Sequence, residues 1–250
     1  MELGEKYKHL YGDYYKDGGG SALSFKRKIT SDATAAHFVS FFSNPKFSTL
    51  VDIGAGDGST IVSLSKLNTA DEYSAMEVSQ SGVDEIRSKN IEKLNKIELF
   101  DGYNIQAEDD IYDVGVAAHV LEHVEHERLF LKEFSRVSQL CYIEVPLEHT
   151  WNVSKAIKGG DKAGHINFYN PDTILALIKS SELQVIKYQV FQHSYIYETL
   201  VSGRWRGPIK YIIKKLALMI SPKFATTFFV YTVGVLFCTQ GNAEQLKGKI

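Results

Sequence analysis

The run Thr49-Leu-Val-Asp52-Ile-Gly54-Ala-Gly56-Asp57-Gly58-Ser59 constrains this chain more than any other segment. It reads as a buried strand that breaks into a glycine-rich turn and then enters a helix at Ser59. Glycine permits positive φ and lets the backbone approach a ligand closely, and a helix start offers free N–H groups. A doubly wound α/β sheet builds a cofactor site in this way. The spacing Gly54-x-Gly56-x-Gly58 departs from the G-x-G-x-x-G of dinucleotide binders. Asp52 and Asp57 bracket the turn with negative charge, which repels a pyrophosphate and suits a cation.

S-adenosylmethionine carries a sulfonium and an ammonium group, so the turn favours a methyl donor over NAD, and an NAD-dependent oxidoreductase stands as the enzyme alternative. The next candidate strand, Tyr73-Ser-Ala-Met-Glu77, ends in an acid about 20 residues past the glycines, where a Rossmann-like fold places the carboxylate that takes the ribose hydroxyls. A third, Lys96-Ile-Glu-Leu-Phe100, ends at Asp101-Gly102. Tyr112-Asp113-Val-Gly-Val-Ala-Ala-His119-Val-Leu-Glu122-His123-Val124 follows, then Cys141-Tyr-Ile-Glu-Val-Pro146 and Gly164-His165-Ile-Asn-Phe-Tyr-Asn-Pro171.

In this order the segments resemble class I S-adenosylmethionine-dependent methyltransferases, small-molecule enzymes with a VLEHV-type segment, over roughly residues 47 to 190. The resemblance implies a Rossmann-like, doubly wound, seven-stranded and mostly parallel sheet with an antiparallel last strand and helices on both faces. It implies donor contacts at Gly54, Ala55, Gly56, Asp57 and Glu77, at Asp101 and Gly102 near the adenine, and at His119 near the methionine and adenosine. No N-P-P-Y-type segment follows the fourth strand, which argues against methylation of DNA bases.

With 250 residues and 44% hydrophobic content the chain can bury a full α/β core. Its net charge of −2, with Lys and Arg dispersed, leaves no electrostatic footprint for nucleic acid. Both cysteines, Cys141 and Cys238, lie in apolar runs, and the first residues carry no apolar signal region, so a cytoplasmic location is expected.

Residues 1–46 read as an N-terminal helical lid, with helices near 3–11 and 31–42 around the Asp17-Gly-Gly-Gly20 break, and residues 47–250 as the methyltransferase domain. Helix starts are expected at Ser59, at Ser79 or Ser81, and at Asn170-Pro171. Ser181–Phe191 alternates as a sixth strand and Thr226–Thr239 reads as a seventh, with 208–225 a helical insertion between them. The uncharged run 225–243 is long enough for a membrane span, but its β-branched and aromatic content fits a buried strand, and no span is expected. Pro208–Ile220 is an apolar helix carrying Lys210, Lys214 and Lys215. It suits a pocket cap, a dimer contact or peripheral membrane contact, and monomer and homodimer stay open.

Methyl transfer needs alignment, exclusion of water and, for a hydroxyl or ammonium acceptor, a base. His165, His149 and His123 are the catalytic candidates, because they lie in loops beyond the strand ends and titrate near neutrality. A small-molecule acceptor methylated at oxygen is expected. A non-catalytic donor-binding or membrane-associated scaffold is the alternative from another class. In the His119-x-x-Glu122-His123 spacing, helical geometry would put three side chains on one face, and with His165 they form a competent set for a divalent metal. His119 departs from the E-x-x-E-H of metal-dependent relatives, so no residue is assigned as a ligand. Trp151, Phe168 and Tyr169 suit either an aromatic cleft or the core, and Arg27 and Lys28 suit either the donor's carboxylate, reached from the lid, or the solvated loop pair that is more usual.

Overall fold

A computed structural model describes residues 20–160 and 164–246. Its strands are β1 (Phe47–Ile53), β2 (Ala70–Glu77), β3 (Leu94–Leu99), β4 (Tyr112–Ala118), β5 (Ser138–Pro146), β6 (Leu183–Phe191) and β7 (Thr232–Thr239). They pair in the order β3-β2-β1-β4-β5-β7-β6. The first five run parallel, and β7 runs antiparallel to both β5 and β6. This is the doubly wound sheet with a reversed last strand that the sequence leads one to expect.

Around it lie α1 (Gly20–Val39), α2 (Ser59–Lys66), α3 (Gln80–Ser88), α4 (Glu127–Val137), α5 (Val153–Gly160), α6 (Pro171–Ser180), α7 (Tyr195–Ser202), α8 (Arg206–Ile220), α9 (Pro222–Phe228) and α10 (Gln240–Leu246). Alternate residues of a strand face opposite sides. Leu50 of β1 accordingly joins the core under α1, α2 and α3, with Phe38, Ile61 and Ile86. Its neighbour Val51 joins the core under α4 and α6, with Phe134 and Ile178.

Local chemistry sets the boundaries. Ser79, rather than Ser81, caps α3 by accepting from Gly82 N–H. Asn170 and Thr173 form a reciprocal capping box ahead of Pro171 in α6. Two strand glycines admit aromatic rings: a Cβ on Gly115 would lie 2.2 Å from Phe134, and one on Gly234 2.5 Å from the Tyr142 hydroxyl.

Three expectations change. The helix expected at 31–42 begins at Gly20 and ends at Val39, and the one expected at 3–11 lies outside the described residues. The seventh strand starts at Thr232 rather than Thr226, because Ser221 accepts from Phe224 N–H and Pro222 opens α9 over the residues before it. The helix α7, capped by Ser194, was not anticipated. No helix among the described residues is long and apolar enough to cross a membrane.

Because β1 has β2 on one side and β4 on the other, the connections leaving β1 and β4 diverge to opposite sides of the sheet. The crevice this opens beyond the strands' carboxyl ends is where open α/β sheets bind ligands.

Candidate active site

The glycine turn follows β1. Gly54, Gly56 and Gly58 take φ of +76°, +59° and +77°. Gly54 also tolerates no side chain, since its Cβ would meet Val120 Cγ2 at 2.6 Å. Met76 O accepts from Gly54 N–H at 2.8 Å and from Ala55 N–H at 3.0 Å, which ties the turn to the end of β2. Glu77 completes the link: its Oε2 accepts from Gly56 N–H at 2.8 Å, and its Oε1 accepts from Ser79 N–H and Oγ at 3.0 and 2.9 Å.

Three carboxyls surround this turn in different states. Asp52 is buried, its Oδ2 lacks a hydrogen-bond partner, and burial, reinforced by Glu77 and Asp57, pushes its pKa up to about 8. Glu77 is also raised, burial outweighing its hydrogen bonds from Gly56 and Ser79. Asp57 is lowered; burial opposes this, but Lys89 lies 3.2 Å away, and Arg27 of α1 adds a contact at 3.9 Å. Arg27 is thus docked on the turn, whereas Lys28 pairs with Asp32 on its own helix. Phe100 N–H donates to Glu77 O, bringing the β3 exit alongside. There Asp101 accepts from the Tyr103 and Asn104 N–H groups and shapes its own turn, with Gly102 at φ +94°.

Beyond β4 and β5 lies a cavity of about 350 Å³. The loops contribute His119, Glu122, His123, Glu148 and His165, and β5 contributes Glu144; α1 adds Thr30 and His37, and the β6 exit and α7 add His193 and Tyr197. Five of the chain's eight histidines therefore share one space.

His165 Nδ1 lies 2.7 Å from Glu148 Oε2, and His123 Nδ1 lies 3.0 Å from Gly164 O. Both partners are acceptors, so each Nδ1 carries a hydrogen, and in the neutral ring Nε2 keeps its lone pair. The rings meet edge to face at 4.9 Å. Glu122, His123 and His165 present ligand atoms within 4.8 Å of one another. Glu122 is 1% exposed, and its Oε2 has no hydrogen-bond partner.

Titration splits these rings. Burial, with a further push from other histidines, holds His123 below the usual histidine range. His165 is raised; burial opposes, but the Glu148 hydrogen bond wins, with Glu122 adding to it. His119 is raised as well, burial again being outweighed, here by Glu122, Glu144 and Glu148. Burial depresses His193.

The arrangement differs from the helical face anticipated from the i, i+3, i+4 spacing. Leu121–His123 is a single 3₁₀ turn, and His119 precedes it in left-handed geometry at φ +57°. His165, held in place because Ile166 and Asn167 N–H both donate to Glu122 O, joins the trio instead of His119. The His119 ring sits 3.5 Å from Glu122 and 3.7 Å from Glu144, in the cavity. His149 lies outside it, exposed, with Asn170 Nδ2 donating to its Nδ1 at 3.1 Å. Trp151 is 69% exposed, and Tyr169 is a core residue.

Glu144, His37 and Glu148 are site residues that sequence reasoning passed over. Glu144 left a signal, a lone charge inside an otherwise apolar strand. It accepts from Thr34 Oγ1 at 3.0 Å and Tyr142 Oη at 2.8 Å, and its Oε2 lies 2.9 Å from His37 Nδ1, which pins α1 across the cavity. Burial would raise it, yet His37 and His119 hold it below the ordinary range.

A family model described as a methyltransferase domain matches residues 27–188. No curated protein matches the sequence. Among solved structures, one in a complex of a methyltransferase with the Trm112 methyltransferase activator from Haloferax volcanii aligns with a TM-score of 0.62 at 15% identity, covering 86% of this chain and 95% of that one. Geranyl diphosphate C-methyltransferase from Streptomyces coelicolor A3(2), solved with Mg2+, geranyl diphosphate and S-adenosyl-L-homocysteine, aligns at 0.60 and 13% identity, covering 82% and 76%. Magnesium protoporphyrin IX methyltransferase from Synechocystis PCC 6803 aligns at 0.56 and 14%, covering 94% of both chains. At these identities the likeness is one of fold.

Proposed function

Because this chain belongs to the methyltransferase-domain family, we propose that it moves a methyl group from S-adenosylmethionine to an oxygen of a small molecule held in the histidine-lined cavity. The glycine turn suits that donor. Asp52 Oδ2 is a buried acceptor without a partner, and Glu77 Oε2, which accepts one N–H, keeps a lone pair for a ribose hydroxyl. Asp52, Asp57 and Glu77 together favour a cationic ligand. Gly54, Ala55 and Gly56 supply close backbone approach, Asp101 and Gly102 flank the adenine end, and His119 lines the cavity next to Val120, which packs over Gly54.

When bound, the donor supplies a methyl carbon already activated on sulfonium, so the protein must align the acceptor, exclude water and accept a proton. The cavity carries this reading. Its volume is that of a small-molecule site, and it holds a histidine oriented by a carboxylate, His165 with Glu148, beside the neutral ring of His123. His165 Nε2 takes the acceptor proton while Glu148 steadies the imidazolium. Of the expected lid, the described part, α1, closes one side of the cavity, and the transferase domain follows from residue 47 with α7, α8 and α9 inserted before the last strand. Two structural neighbours whose names carry small-molecule acceptors, geranyl diphosphate and magnesium protoporphyrin IX, favour an acceptor of that class.

Incubation with methyl-labelled donor and a panel of phenols, carboxylic acids and hydroxylated metabolites tests this, and label is expected in an alkali-stable or ester-type O-methyl product. Donor binding with no label transferred to the panel or to a small-molecule extract would point to a scaffold, and tighter binding of NADH than of the donor to an oxidoreductase.

A second reading rests on the ligand geometry of Glu122, His123 and His165. These residues would hold a divalent cation, which would acidify the acceptor hydroxyl. Dialysis against EDTA separates the two: activity survives it if His165 is the base, and is lost and restored by added metal if the trio is a metal site.

A further inference from the structure

The helices before β7 are built inside out. In α8, at 3.6 residues per turn, Ile209, Ile212, Ile213, Leu216 and Ile220 fall on one stripe, and all five are exposed. The opposite face, directed into the protein, carries Gly207 and Lys214, and Lys214 donates to buried Glu198 of α7. Gly207 lets the two helices touch, since a Cβ there would lie 2.4 Å from Thr199 Cα. One charge, Lys214, is turned inward while a whole apolar stripe is turned outward, the reverse of what a helix on a water-facing surface presents.

The stripe is part of a wider face. Ile196 and Leu200 of α7, Trp205 and Met219 at the two ends of α8, and Phe224 and Phe228 of α9 are exposed as well, and α7 and α9 both pack on α8. Residues 195–230 contain 14 of the 23 large hydrophobic side chains exposed among the described residues. Single exposed apolar groups are ordinary, whereas a continuous field of them marks an interaction surface.

Charge identifies the partner. From Thr199 to Ala243 the chain has no acidic residue and six basic ones, Arg204, Arg206, Lys210, Lys214, Lys215 and Lys223. All but Lys214 are exposed. On α8 they border the stripe, with Arg206 and Lys210 along one edge and Lys215 along the other. Lys210 reaches back to Glu198 at 3.0 Å, and the Arg204 guanidinium stacks over Trp205 at 5.0 Å. An apolar stripe edged by long cationic side chains that can lift their charges to the headgroups is the arrangement of a helix lying in an anionic bilayer surface. With 15 residues α8 measures roughly 22 Å, short of the roughly 30 Å hydrocarbon core, so it lies in the surface rather than crossing it.

We propose that α7, α8 and α9 dock this protein on an anionic lipid surface, with the Ile209–Ile220 stripe in the acyl boundary and Arg206, Lys215 and Lys223 at the lipid phosphates. Neither the glycine turn nor the base is part of this face, so the inference stands apart from the catalytic reading.

The test is sedimentation of the full chain with vesicles of phosphatidylcholine alone or with phosphatidylserine added. Binding is expected to the anionic vesicles, to weaken with salt, and to fall at least about tenfold in Arg206→Gln/Lys215→Gln/Lys223→Gln. Ile212→Ser/Leu216→Ser is expected to lose binding with unchanged melting temperature and unchanged donor affinity by calorimetry. Binding that ignores vesicle charge, or no binding at all, overturns the proposal. So does a stable dimer by light scattering that Leu216→Asp converts to monomer, since a second copy would then cover the face.

Discussion

Replacing Asp52 by Asn removes the one carboxyl near the glycine turn whose buried oxygen has no partner, and should produce a stability change that grows with pH. The native pKa is about 8, against an ordinary 3.8. A folded-state pKa above the unfolded value means that, across the window between them, the native state keeps a proton that the unfolded chain has released. Stability therefore declines as pH rises, at about 1.4 kcal/mol per pH unit. From pH 5 to pH 8 the loss is on the order of 4 kcal/mol. Asn has the same shape and does not titrate, so the variant avoids that loss. The two proteins should have similar unfolding free energies only below about pH 4, and the variant's advantage should grow by on the order of 4 kcal/mol between pH 5 and pH 8. Urea unfolding of ligand-free protein followed by circular dichroism measures this, and subtracting wild type from variant cancels the histidines that titrate in the same window. A difference that stays flat between pH 5 and 8 refutes the reasoning. Donor binding adds a second readout: a cation beside Asp52 favours its ionised form, so wild type should release a proton on binding at pH 7 and Asp52→Asn should not, as calorimetry in two buffers of different ionisation enthalpy will report.

Glu77→Gln keeps an acceptor for Gly56 N–H but loses the charge and turns an amide toward Ser79 N–H, and donor affinity by calorimetry should fall about tenfold or more; unchanged affinity removes Glu77 from the ribose. Glu148→Gln withdraws the carboxylate that raises His165, so kcat should fall on the order of 10- to 100-fold and the acidic limb of the pH profile should move to lower pH. An unmoved limb would mean that His165 is not the base. Gly234→Ala puts a methyl 2.5 Å from the Tyr142 hydroxyl and should cost about 1–3 kcal/mol in urea unfolding. No loss would mean that β5 and β7 separate more freely than their register implies.

The parts of this structure that rest on local physics were readable from residues alone. Ser79 and Asn170 announce their helices because a side-chain oxygen must satisfy free N–H groups, and Gly54, Gly56 and Gly58 announce a turn that demands positive φ. Glu77 followed from its position at the end of β2. Contacts between distant segments were not readable. Nothing near His165 in sequence marks Glu148 as its partner, and nothing in Thr34 or His37 points across more than a hundred residues to Glu144. Nor does spacing distinguish a 3₁₀ turn from a full helix at Leu121–His123, which is why His119 looked like part of a trio that His165 completes. The apolar run into β7 misled for a related reason: Thr226, Phe228 and Phe229 suit a strand, but the Ser221-Pro222 cap, five residues earlier, had already committed them to the turn of α9.

Glu144 has little room left for anything new. Its Oε2 is taken by Tyr142 Oη and His37 Nδ1, and its Oε1 by Thr34 Oγ1, with His119 close by. A guest that draws this carboxylate toward itself competes with the Thr34 and His37 hydrogen bonds that fasten α1 to the sheet. Through Arg27 and Asp57 the same helix leans on the glycine turn. A ligand in the cavity and a ligand at the turn therefore both press on α1, one near Thr34 and His37 and the other near Arg27.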